Sequence, residues 1–218
     1  MADSKFAVPQ LAAVEVQGLT REAFLVRGTL AAVAVAGVGA AGPFVNQAFG
    51  ASAPSTTGDL GILNFALTLE YLESYFYNTV AKTAGLTGDA KSLAALIAGH
   101  EAAHVAGLTA AIKGAGGTPV SSPTFKFPAS TKTQKGFLAM ASVLENTGVS
   151  AYNGQGPNLM SKDILKTAGS IVQVEARHAA AINYMIGLSP TPAMGGGAFD
   201  TPLTKAAVLK AVTPLIKA

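Results

Sequence analysis

From Asp59 onward, apolar residues recur at alternating steps of three and four, the period of helices that bury one face. Four such segments follow one another. The first runs from about Asp59 to Ala84, with Leu60, Leu63, Leu67, Glu70, Ser74 and Tyr77 along one seam. The second starts near Thr87-Gly88-Asp89 and runs to about Ala115, aligning Ile97, Glu101, His104, Leu108 and Ala111. Gly114, Gly116, Gly117 and Pro119 end it. The third, with Thr131 and Gln134 as a capping box, aligns Leu138, Ala141, Glu145, Gly148 and Tyr152. Gly154, Gly156 and Pro157 break it. The fourth, capped by Ser161, aligns Ile164, Ala168, Ile171, Glu175, His178, Ile182 and Met185.

The connections organise these helices. Residues 116–131 hold three prolines and little periodicity. At ~3.3 Å per extended residue they can reach along a whole bundle, so they are expected to cross over between the second and third helices. Beyond the fourth helix, Pro190, Pro192 and Gly195–Gly197 make a linker. The triple glycine lacks any P-loop context. Thr201-Pro202 then opens a short final helix that Pro214 limits. The expectation is an all-α four-helix bundle over residues 57–188, a linker and short helix over 189–218, and a separate segment over 1–56.

Composition agrees with buried helices. Of 218 residues, 50% are hydrophobic and only 12% charged. The net charge of +3 is spread over isolated lysines, so no nucleic-acid partner is expected. The absence of cysteine excludes disulfides, thiol catalysis and thiolate metal sites. Residues 29–42 form a short, small-residue apolar run, followed by Pro43 and by Ala51 and Ala53. The stretch Thr20-Arg21-Glu22-Ala23-Phe24-Leu25 is similar to a twin-arginine motif in which Glu22 replaces the second arginine. This reads as an export signal, which places the protein outside the cytoplasm. The alternative is a retained segment that docks on the bundle, with a cytoplasmic protein. The run is too short to span a bilayer comfortably.

Against this apolar background the glutamates stand out. Beyond residue 50 there are five: Glu70, Glu73, Glu101, Glu145 and Glu175. Four lie in the seams, one per helix, where an unpaired charge is costly. Two are followed three residues later by histidine, as Glu101-x-x-His104 and Glu175-x-x-His178. The order repeats. Tyr77 and Tyr152 follow Glu70 and Glu145 by seven residues, and Glu101 and Glu175 follow them by 31 and 30. A helix pair is thus used twice. Four carboxylates converging without cations would repel, whereas two divalent ions cancel their charge. Glu70, Glu101, His104, Glu145, Glu175 and His178 are therefore the candidate metal ligands. A ligand set rich in carboxylate and poor in histidine favours two iron or two manganese ions over zinc or copper.

Nearby residues carry smaller claims. Glu73 falls off the seam by helical phase, at the surface or beside the ligands, with an alternative ligand role left open. Tyr77 and Tyr152 are candidate catalytic residues through redox activity, or else pack the core and hydrogen-bond a carboxylate. His100 is expected to point away from the seam into solvent. Arg177 is expected off-axis in an ion pair.

The segments LNFALTLEYLESYFY, GHEAAHVAGL, LENTGVSAYNG and VEARHAAAI resemble the four signature helices of the ferritin-like superfamily, over roughly residues 57–188. The pattern of one glutamate on each of two helices and Glu-x-x-His on the other two is the ligand set of its di-metal members. The branch it is most similar to is that of exported ferritin-like proteins with desiccation-related and stress-related members. The resemblance implies that Glu101 and Glu175 bridge the metals and that each histidine is terminal on one. It implies ferroxidase activity or peroxide consumption, with dioxygen or peroxide as partners. The competing reading is a non-enzymatic stress or assembly subunit in which metal only stabilises the bundle. Homo-oligomerisation is left open.

Overall fold

The computed structural model describes residues 57–191 and 198–217. The expectations for residues 1–56 and for the glycine linker at 195–197 lie outside the described residues. Five α-helices are present among these: α1 (Thr57–Tyr75), α2 (Gly88–Gly114), α3 (Gln134–Gln155), α4 (Lys162–Met185) and the short α5 (Lys205–Val212). The all-α bundle is as expected.

α1 packs along α2, and α3 along α4; α1–α3 and α2–α4 contacts close the bundle. Short connections make each pair antiparallel. α1 does not continue regularly to Ala84. It widens into a π turn over Phe76–Val80 and tightens into a 3-10 turn over Ala81–Thr83. Such π segments often mark functional positions, and this one carries Tyr77.

The crossover is ordered and its course fixes the topology. α2 ends at Gly114, and just past it Gly116, whose φ of 76° suits glycine, turns the chain, with Gly117 N–H donating to the Ile112 carbonyl. The chain then tracks α1. Val120 N–H donates to the Asn64 side chain at 2.8 Å, and farther along Phe125 and Phe127 lie against Tyr75 and Phe76. Near the start of α2, the Gln134 side chain accepts from Thr87 N–H at 2.9 Å. α3 therefore starts where α2 starts and runs parallel to it.

Two caps and one helix break differ from expectation. Thr131 sits in a 3-10 turn and bonds the Pro128 carbonyl, so Thr133 caps α3, accepting from Gly136 N–H. Gln134 is spent on Thr87 and not on a capping box. Gly154 remains helical. A Cβ there would lie 1.9 Å from the Leu203 carbonyl oxygen, so the glycine admits the C-terminal segment against α3. Leu203 N–H donates to the Ser150 carbonyl. That anchor delays the last helix: Thr204, not Thr201, caps α5. Ser161 caps α4 as expected.

Two apolar clusters fill the bundle. One gathers Leu72, Phe76, Ile97, Phe137, Leu138 and Ile182. The other gathers Leu63, Leu67, Leu108, Ile164 and Ile171. Glu70, Glu101 and Glu175 fall between these two sets along α1, α2 and α4, and Glu145 joins them from α3. The apolar core is thus divided by a polar layer.

Candidate metal centre

Each helix of the bundle contributes one glutamate to that layer, and all four are wholly buried, at 0% exposure. The i,i+3 spacing on α2 and α4 brings His104 and His178 to the same layer. Two groups of four result: Glu70, Glu101, His104 and Glu175, and Glu101, Glu145, Glu175 and His178. In each, one ligand atom per residue lies within 4.8 Å of all the others. Glu101 and Glu175 belong to both. All six predicted ligand residues are brought together.

Each imidazole Nδ1 stands amid three carboxylates. For His104 the oxygens of Glu175, Glu70 and Glu101 lie at 2.9, 3.2 and 3.5 Å. For His178 those of Glu101, Glu145 and Glu175 lie at 3.2, 3.2 and 3.5 Å. One nitrogen carries at most one hydrogen and cannot satisfy three oxygens. Both oxygens of Glu101 and of Glu175, and Oε1 of Glu145, accordingly lack a hydrogen-bond partner although buried. Native proteins rarely leave such atoms unpaired. Cations would satisfy them all, so the donor set fits a pair of metal ions.

Both tyrosines lie where α1 and α3 face each other. Tyr152 of α3 donates to Glu70 Oε1 of α1 at 2.5 Å. Tyr77 of α1 lies beside Glu145 of α3; burial first, and then that carboxylate, raise its pKa.

The electrostatics are those of protons standing where cations fit. Burial, then the charges of Glu175 and Glu70, push Glu101 well above the usual carboxylate range. Burial lifts Glu145 to about 7, against the hydrogen bond from His178. Glu175 goes the other way: burial opposes its charge, but the two imidazoles beside it, His104 first, hold it at about 2. Burial likewise opposes a charged His178, yet Glu101, Glu145 and Glu175 push it up to about 12. His104 is raised for the same reason, chiefly by Glu70 after the opposing burial. Metal ions must displace such protons in order to bind.

Three expectations for neighbouring residues are corrected. His100 is not solvated: its Nδ1 lies 2.8 Å from His178 Nε2. Burial, then the neighbouring imidazoles, lower it to about 4. Glu73 is neither at the surface nor off the seam. It is 3% exposed, while Ser74, placed in the seam by phase, is half-buried. The reason lies across the bundle at Gly148, where a Cβ would come 3.2 Å from Glu73 Oε1. Burial, followed by Glu175 and Glu145, raises its pKa well above the carboxylate range. Glu73 is in neither group of four. Arg177 is exposed and forms no ion pair among the described residues. The repeat held a signal for Glu73, because Gly148 occupies the equivalent position in the second half.

One buried carboxylate has nothing to do with this centre. Asp59, at 0% exposure, accepts from the N–H groups of Met160 and Ser161 at 2.9 and 3.0 Å. It ties the start of α1 to the start of α4, and no periodicity marks it.

No curated protein matches the chain by sequence. A family model described as Ferritin-like domain matches residues 58–188, a stretch that contains α1 to α4 nearly whole and every residue of the polar layer. With the helical bundle and a carboxylate–histidine cluster able to bind metal, that match means that the chain belongs to the ferritin-like domain family.

Proposed function

We propose that the protein holds two iron or two manganese ions and acts on dioxygen or peroxide, or oxidises ferrous iron. The observation that carries this reading is that Glu101 and Glu175 are shared by both four-residue groups while all four of their oxygens lack hydrogen-bond partners. Glu101 and Glu175 would hold both ions. Glu70 with His104, and Glu145 with His178, would each hold one. Such a pair supplies exchange of two electrons with small oxygen species, and carboxylate-rich ligation suits iron or manganese.

The residues of the chain do the rest. The two apolar clusters keep bulk water from the layer, and total burial of the carboxylates restricts access to small species. Tyr152 fixes the orientation of Glu70 through its hydroxyl, and Tyr77 faces Glu145. Both tyrosines stand close enough to the carboxylates for a redox role. The apolar run at 29–42 and the motif around Arg21 support an exported protein. Protection against oxidative or desiccation stress would suit such a protein.

The same complete burial favours a second reading, in which the ions only staple four helices together and turn nothing over.

Metal analysis by mass spectrometry, on protein purified without a metal-affinity column, tests the first point. About two iron or manganese ions per chain are expected, lost in a Glu101→Ala, Glu175→Ala double variant. No metal after anaerobic loading with ferrous or manganous ion would overturn the dinuclear reading. Peroxide or dioxygen consumption by the loaded protein then separates enzyme from staple.

A further inference from the structure

The two halves of the site are built alike but supported unlike. Offset by about one helix pair, Glu70 corresponds to Glu145, Glu101 to Glu175, and His104 to His178. His100 immediately precedes Glu101 on α2. Its counterpart before Glu175 on α4 is Val174, which offers no polar side-chain atom.

That difference reaches only one of the two imidazoles. His178 faces the carboxylates with Nδ1 and faces His100 with Nε2, at 2.8 Å. The two rings are within 13° of coplanar, with centroids 5.1 Å apart. Rings bonded edge to edge through an N–H···N contact take this arrangement, whereas rings stacked face to face would be closer. When Nδ1 gives its lone pair to a cation, the ring hydrogen resides on Nε2. Nδ1 of His100 is placed to accept that hydrogen. Such a bond fixes the tautomer and orientation of a metal-binding imidazole and raises its basicity. His104 has no such support. Among the described residues no side chain bonds its second nitrogen, and its side chain is 11% exposed against 5% for His178.

We propose that His100 is a positioning residue that makes the His178 subsite the tighter one, so that a first divalent ion settles among Glu101, Glu145, Glu175 and His178 before the His104 subsite fills. The inference rests on the dinuclear reading above. It adds an order of filling and a residue that sets it.

Calorimetric titration of the metal-free full chain with manganous ion tests it. The wild type should bind in two steps, the first about tenfold or more tighter than the second. His100→Ala should weaken binding at the His178 subsite by about 10–100-fold and leave the affinity of the His104 subsite unchanged. His100→Gln, whose side-chain oxygen can accept the same hydrogen, should recover part of the loss. Anomalous diffraction from wild-type crystals carrying one manganese per chain needs no variant. It should place the ion beside His178. Two equivalent steps, a first ion beside His104, or a His100→Ala variant that folds and weakens both subsites equally would each overturn the inference while leaving the dinuclear reading intact. Failure to bind any manganese would overturn that reading and this inference together.

Discussion

Stripping the metal and raising the pH should destabilise this protein, opposite to the usual behaviour of a buried carboxylate held by a cationic partner. Glu145 supplies the magnitude. It is wholly buried, and burial lifts it from an ordinary 4.5 to about 7. Between those values the folded chain keeps a proton that the unfolded chain has lost. Stability therefore falls as pH rises across that window, by on the order of 3 kcal/mol for a shift of this size. The two metal-facing histidines act in the same sense at higher pH. Unfolded, they lose their protons near 6.5, whereas folded His178 holds its proton to about 12 and His104 is also raised. Glu101 and Glu73, both raised, add to the trend. Two groups oppose it. His100, lowered to about 4, gains stability with pH only between that value and 6.5. Glu175, held at about 2, changes only below 4.5. The net slope from about pH 5 to pH 8 is downward. Three kcal/mol is worth about 6–12 °C of melting temperature for a domain of this size. Thermal melts followed by circular dichroism, with chelator at each pH, read it directly. Divalent ions replace the protons, so the loaded protein should lose no stability over the same range. A metal-free melting temperature that stays level or rises from pH 5 to pH 8 would refute the reasoning.

Four further outcomes follow from particular positions. Gly154→Ala should destabilise by about 2 kcal/mol or more and release the segment from Leu203 onward to proteolysis, because the added Cβ meets backbone at 1.9 Å; Gly169→Ala, with nothing within 4 Å, should stabilise by up to about 1 kcal/mol in denaturant melts. Tyr152→Phe removes the hydroxyl bonded to Glu70 but keeps the ring in its apolar cluster, so the metal-free protein should lose about 1–2 kcal/mol by urea titration. Glu73→Gln should leave metal stoichiometry by mass spectrometry at the wild-type value, since Glu73 lies outside both groups of four; loss of an ion would make Glu73 a ligand.

Much of the centre could be read from the chain because its chemistry is expensive. A lone glutamate in an alanine- and leucine-rich seam has few structural uses, and two Glu-x-x-His pairs on separate helices narrow them further. Glu70, Glu101, His104, Glu145, Glu175 and His178 were legible one helix at a time. Features that depend on a second helix were not. Whether position 73 or 74 faces inward is ambiguous by phase, since both neighbour Glu70 on the helix surface. Gly148, on a helix reached through the crossover, decides it. The caps show the same dependence. Thr131 and Gln134 satisfy the local pattern, but Thr87 takes the glutamine side chain and Thr133 inherits the cap. Thr201-Pro202 has the right residues for a helix start, yet Leu203 is held by Ser150 and the start moves to Thr204.

Taken together, Glu73 and His100 show how a repeated architecture becomes an asymmetric site. The six ligand-type residues and the two tyrosines keep the repeat, and each half supplies donors to the layer from its own helix pair. The two departures lie one turn from Glu70 and one residue from Glu101, and each faces a neighbour that repetition alone would not provide. Glu73 needs the space left at Gly148; His100 needs the free edge of His178. Neither departure serves the packing of its own helix, for Glu73 buries a carboxyl without a strong local partner and His100 occupies a half-buried position next to a ligand. If packing alone had shaped these positions, apolar residues would suit both better. Their common location, against the shared carboxylates and one of the two imidazoles, points to demands made by the centre itself: two groups of similar donors, in surroundings that do not treat them alike.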